Sequence, residues 1–149
     1  MPASQAAENT APQTTRRPGL AWWQAGVIGV VAATTANLLL LGVGHLMGAS
    51  MTHPDESGET VGVTIGNVVF SSAVPLAVGF TAAVALSLLW TGFLRTAQIT
   101  GTALALLSVA GPLFLETDTP TRAMLALMHV VLAPTVWLSL AAVRRRALS

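Results

Sequence analysis

Of the 149 residues, 53% are hydrophobic and only 9% are charged, against about 25% charged in an ordinary soluble domain, and the mean hydropathy is +0.69. Seven basic residues, all arginine, against six acidic ones leave a net charge of +1, too few and too dispersed for a nucleic-acid-binding face, so nucleic acid is excluded as a partner. The chain has no cysteine, which removes disulfides, thiol nucleophiles and Cys-based zinc or iron–sulfur sites.

The first 19 residues are rich in Ala, Thr, Pro and Gln and bury too little apolar surface to offset their ordering entropy, which predicts a disordered cytoplasmic tail. Thr15, Arg16 and Arg17 before an apolar run have the look of a twin-arginine export signal. Pro18 and Gly19 fit that pattern poorly, and the apolar stretch exceeds the about 7–15 residues of a signal core, so the first span is expected to be retained. A crossing needs about 20 apolar residues, and four stretches qualify, at about 23–46, 61–90, 97–115 and 121–143. The second, at roughly 45 Å as a helix, is longer than one bilayer core, so its ends are expected to tilt or protrude. Between the first two spans, residues 48–60 are acidic and contain Pro54 and Gly58, the marks of an extracytoplasmic turn. The link at 91–96 is short enough to enforce an antiparallel hairpin of helices, and residues 147–149 form the cytoplasmic end.

Arginines set the orientation, because cytoplasmic loops retain positive charge. Arg16, Arg17, Arg95 and Arg144 to Arg146 fall on one side, with all four tryptophans toward the same ends, whereas Asp55, Glu56, Glu59, Glu116 and Asp118 fall on the other with Arg122. Both termini are therefore expected in the cytoplasm. The resulting fold is an all-α membrane protein, an antiparallel four-helix transmembrane bundle occupying residues 20–146, placed in a bacterial cytoplasmic membrane.

Helices in lipid associate through small residues and interhelical hydrogen bonds. Small-residue stripes occur at Ala25, Gly29 and Ala33, at Gly44 and Gly48, at Gly62 and Gly66, and at Ala97, Gly101 and Ala105. They are expected to serve the bundle first, with a homodimer as the other use. Pro75 removes a backbone donor inside the second span and opposes the carbonyl of Ser71. Ser71 and Ser72 are expected to satisfy the freed groups.

Ionisable residues at membrane depth mark candidate sites. His129, about nine residues beyond Pro120, lies roughly 14 Å below the outer surface, and Asn37 on the first span reaches a similar depth. A buried polar core of Asn37, His129 and Ser108 is expected, with Arg122 and Asp118 at the outer rim, Asp118 or Thr119 capping the fourth span and Arg122 pairing with a nearby acid. His129 reads first as a histidine hydrogen-bonded across the bundle and second as a proton or substrate contact. His45 lies too far above it for a shared haem, and His53 with Asp55 and Glu56 makes at most a weak chelate, so neither metal nor cofactor is expected. No phosphate loop, intramembrane carboxylate pair or nucleophile with a base occurs, and no enzymatic activity is expected.

Thr100-Gly101-Thr102, Leu107-Ser108, Asp118-Thr119-Pro120-Thr121-Arg122 and Leu127-Met128-His129 together resemble a family of small actinobacterial four-span membrane proteins of unknown function. That resemblance implies the fold and the membrane location. Ser108, Pro112 and His129 fit its pattern, while Leu113 stands where it has a polar residue. The function expected is that of a structural or accessory membrane protein that binds a membrane protein partner or lipid, the alternative being a small transporter that uses a polar midplane site around Asn37 and His129.

Overall fold

The computed structural model describes residues 20–55, 57–90 and 92–147. The expected disordered tail, Arg16, Arg17, Glu56 and the last two residues lie outside them. In chain order the elements are α1 (Trp22–Leu46), β1 (Thr52–Pro54), β2 (Thr60–Gly62), α2 (Ile65–Ser87), α3 (Phe93–Leu107), α4 (Ala110–Leu113) and α5 (Thr119–Ala147). Among the described residues four helical segments are long and apolar enough to cross a membrane, α3 and α4 together making the third. The fold is an all-α antiparallel four-helix bundle with a small β-hairpin at one end.

Each element ends for a local reason. At the start of α1 the Gln24 side chain accepts the Ala21 N–H at 2.9 Å, satisfying one of the donors that a helix start leaves free. Its other end closes on Gly48, whose φ of +77° suits a residue without Cβ. Ala49 N there donates to Gly44 O and Gly48 N to His45 O, the paired bonds of a Schellman stop. Gly48 is thus a helix stop and not part of a packing stripe.

The second apolar run does not protrude as an overlong helix. Thr60, Val61 and Gly62 are extended and pair with Pro54, His53 and Thr52, as β-branched residues favour. Thr64 then caps α2 by accepting from Asn67 N at 3.2 Å. Gly62 lies in β2 and an added Cβ at Gly62 would meet nothing within 4 Å, so the Gly62–Gly66 spacing makes no helix contact. The hairpin turn is built on Asp55, whose Oδ1 accepts from Ser57 N at 2.8 Å, Ser57 Oγ at 2.6 Å and Glu59 N at 3.0 Å. These bonds, the Ser57 hydroxyl foremost, hold the Asp55 carboxyl below its ordinary range.

Pro112 breaks the third crossing. Having no N–H it cannot serve the carbonyl of Ser108 four residues back, and Gly111 N takes that acceptor at 3.2 Å instead. α5 begins on Asp118, whose Oδ2 accepts from Thr121 N at 3.0 Å, the N-cap expected of this residue.

Around the bundle α1 lies between α2 and α5, and α3 packs on α5. The buried face of α1 consists of Ala25, Gly29, Ala33, Asn37, Leu41 and Gly44, a row in steps of four or three that stays on one side of a 3.6-residue helix. A Cβ on Gly29 would run into Ser139 of α5, and one on Gly26 would meet Phe80 of α2 at 2.8 Å. Backbones therefore approach closely on both sides, as small residues permit in lipid. Gly101 does the same for α3 against Val136 of α5. Gln98, 1% exposed, adds an interhelical bond from Nε2 to Trp137 O at 3.0 Å.

Two apolar cores result. One, at the hairpin end, gathers Leu41, Ala49, Met51, Val68, Met124, Leu125 and Met128. The other, at the end carrying the arginines, gathers Ala25, Phe80, Ala83, Leu94, Leu140 and Val143. α2 packs more loosely on α3 and α5 than on α1, which leaves two cavities along it.

Candidate functional site

Asn37 lies between the two cores on α1, and Ser72 holds the corresponding place on α2. Asn37 Nδ2 donates to Ser72 Oγ at 2.8 Å, a buried interhelical bond, and both residues are 3% exposed. Asn37 Oδ1 has no hydrogen-bond partner. The polar partner of Asn37 is therefore Ser72 and not His129, because the row that buries Asn37 faces α2 as well as α5.

His129 nevertheless shares a cavity with Asn37. A partly open hollow of about 430 Å³ is lined by Asn37, Ser72, Asn67 and Ser71 of α1 and α2, by His53 of the hairpin, by Pro112 and Leu115, and by Leu125, Met128, His129 and Leu132 of α5. His129 Nδ1 lies 2.8 Å from the carbonyl of Leu125, one turn back in its own helix. A carbonyl only accepts, so Nδ1 carries the hydrogen of this bond. His129 thus bonds to its own helix and not across the bundle.

Ser108 does not join this group. Its hydroxyl donates to Ala105 O at 2.7 Å, and it lines a second, mostly apolar cavity of about 340 Å³ with Pro75, Leu76, Gly79, Gly101 and Leu104. The reason is the break at Pro112, which ends the α3 geometry at Ser108. Nor do Ser71 and Ser72 serve the carbonyl opposite Pro75. Ser71 Oγ donates to Asn67 O at 2.7 Å, and Ser72 takes the Asn37 amide.

At the rim, Asp118 is fully engaged in holding the chain together. Its Oδ1 accepts from Ser50 N at 3.3 Å, from Ser50 Oγ, from Thr121 Oγ1 at 2.7 Å and from Thr117 Oγ1 at 3.4 Å. These donors, Ser50 and then Thr121, hold its carboxyl far below the ordinary range. Arg122 pairs with no carboxylate among the described residues. Its Nη2 donates to Leu115 O at 2.9 Å and Thr117 O at 3.3 Å, tying down the loop before α5, and its Nε is buried without a partner. Among the described residues no three His, Asp or Glu side chains converge on a metal site.

Sequence reasoning placed Asn37 and His129 near one another but missed Ser72, Asn67 and His53 as their companions. Ser72 follows the buried Val68 by four residues, a signal legible in principle. His53 enters only through the fold of the hairpin.

A four-span membrane protein with a polar hollow, lined by no carboxylate or arginine among the described residues, beside an apolar cleft is the class these features define. The chain matches the family of unknown function DUF6069 over residues 17–146 and belongs to it. No curated protein and no solved structure matches the chain.

Proposed function

We propose that this protein is a non-enzymatic accessory protein of the bacterial cytoplasmic membrane that binds lipid in the cleft between α2 and α3. The observation that carries the reading is the cleft itself. It lies within the membrane-spanning segments, has a volume of about 340 Å³, and is walled by Gly79, Ala83, Ala97, Gly101 and Ala105 with Pro75, Leu76 and Leu104. Small side chains on both walls leave room that the protein does not fill, and a lipid tail gains van der Waals contact there at no hydrophobic cost.

Gly79→Leu tests this. A Cβ at Gly79 meets nothing within 4 Å, so leucine enters the cleft without moving backbone, and glycine is the poorer helix former by about 0.8–1.0 kcal/mol. Native mass spectrometry of gently extracted protein is expected to show lipid on the wild type and its loss from a variant that melts no lower. Lipid retained equally by both, or carried by neither, overturns the reading.

In the proposed orientation both termini face the cytoplasm. Support comes from Arg95 and Arg144 to Arg146 at the end opposite the acidic hairpin. The chain has no native cysteine, so single cysteines report topology cleanly. Ser57→Cys in the exposed hairpin turn is expected to react with an impermeant maleimide on spheroplasts, and Leu89→Cys, in the turn before α3, only after permeabilisation. The reverse pattern would invert the proposed topology.

A further inference from the structure

Outside the lipid cleft, the fold brings together two imidazoles that the chain holds far apart. His53 of β1 and His129 of α5 both line the partly open hollow, as does Asn67 of α2. Met51, two residues before His53, and Met128, the residue before His129, belong to one apolar core, so the strand is held over this turn of α5.

The two histidines are prepared alike. His129 Nδ1 lies 2.8 Å from Leu125 O, and His53 Nδ1 lies 3.0 Å from Pro54 O. A carbonyl only accepts, so in each ring Nδ1 gives its hydrogen to the main chain. A histidine that ligates a metal almost always donates its other ring N–H in this way, which fixes the ring and leaves one nitrogen to coordinate. In both rings that nitrogen is Nε2.

The lining also selects the class of ion. Among the described residues no carboxylate and no arginine lines the hollow. Calcium and magnesium take oxygen ligands, carboxylates above all, whereas imidazole suits zinc, nickel and copper. Two imidazoles are fewer than the four ligands of a closed structural zinc site. The remaining positions fall to Asn67 Oδ1 and to water, which the opening admits, and an ion so held exchanges with its surroundings.

We propose that His53 and His129 form an exchangeable site for a divalent transition metal of the zinc, nickel and copper class, which clamps the hairpin to α5. Neither histidine lines the lipid cleft, so this site stands whether or not lipid binds there.

The test uses protein purified without a histidine tag and stripped with chelator. It is titrated with Zn²⁺ alone in a calorimeter, and loaded with one equivalent of Cu²⁺ for electron paramagnetic resonance. Wild type is expected to bind one Zn²⁺ per chain, undisturbed by excess Mg²⁺, and to melt higher with it, because an ion that binds only the folded chain stabilises it. The Cu²⁺ spectrum is expected to show two imidazole nitrogens. His53→Asn and His129→Asn each keep an N–H for the carbonyl and lose Nε2. Without metal each is expected to melt as wild type does. With Zn²⁺ each is expected to lose about tenfold or more in affinity, since even outer-shell partners are worth about 10–100-fold, and with Cu²⁺ to show one imidazole nitrogen. His45→Asn, at an exposed residue outside the hollow, is expected to bind as wild type does. The proposal is overturned by no bound Zn²⁺, by fewer than two nitrogens in the wild-type spectrum, or by unchanged affinity in either hollow variant. An equal loss in His45→Asn, the mark of an adventitious ion only, overturns it as well. The wild-type spectrum decides even where a variant fails to fold.

Discussion

Met51→Ala is expected to destabilise the protein by about 2–5 kcal/mol, the range for truncating a long buried side chain to alanine. Met51 is 1% exposed and fills the hairpin-end core with Leu41, Val68, Met124 and Leu125. Its sulfur lies only 2.8 Å from where a Cβ on Gly44 would stand, so the missing side chain of Gly44 makes the room that Met51 occupies. The backbone around it is pinned and cannot collapse into the void: Met51 N donates to Thr121 Oγ1 at 2.9 Å, and Met51 O accepts from Val63 N at 2.7 Å. Equilibrium unfolding in detergent, followed by helical circular dichroism, measures the loss. Leu46→Ala, at a residue 88% exposed, is the control and is expected to shift stability by no more than about 0.5 kcal/mol. Met51 also holds a φ of +47°, a left-handed conformation that costs a residue with Cβ roughly 1–2 kcal/mol. Met51→Gly therefore loses the same packing but regains part of that cost, and is expected to unfold no earlier than Met51→Ala.

Asp118→Asn has the second large effect, and pH sets its size. In the folded protein the carboxylate accepts from Ser50, Thr117 and Thr121, which link the start of the hairpin loop to the first turn of α5. An amide offers one acceptor where the carboxylate has two and turns an N–H₂ toward donors. Because these donors lower the folded-state pKa of Asp118, its contribution is fully present above the unfolded value of about 3.9 and is lost as pH falls through the folded-state value. At pH 7 the variant is expected to melt clearly below wild type. Below about pH 4 the wild-type melting temperature is expected to fall toward that of the variant, and a gap that stays constant down to pH 2 would refute the linkage. Asp55 is also held below its ordinary range, and since it is present in both proteins its effect cancels in the comparison. Thr121 is shared between Asp118 and Met51 N, so Asp118→Asn and Met51→Ala are expected to be non-additive.

The proposed lipid site rests on what the bundle leaves unfilled. Close approach of α1 to α2 and α5 is secured by Gly26 and Gly29, whereas Gly79, on a wall that nothing approaches, opens the cleft. The same residue type thus closes one interface and holds another apart, according to whether a neighbour arrives.

The sequence by itself determined the number of crossings, a cap on the last helix at Asp118 or Thr119, which the structure resolves to Asp118, and the burial of the Ala25–Gly29–Ala33 row. These follow from the local apolar run, the local cap and the helical period. It misjudged where the second and third crossings begin and break, because Thr60 to Gly62 pair with a distant strand and Pro112 acts on the carbonyl of Ser108. The tertiary structure alone decided the partners of the polar groups. Asn37 chose Ser72 over His129, Arg122 took carbonyls over carboxylates, and His53 joined a cavity 76 positions away from His129 in the chain. Depth in the membrane is set by counting residues along one helix, but which side chains meet at that depth depends on the rotation of every helix against its neighbours, and that is fixed only when the small residues have packed.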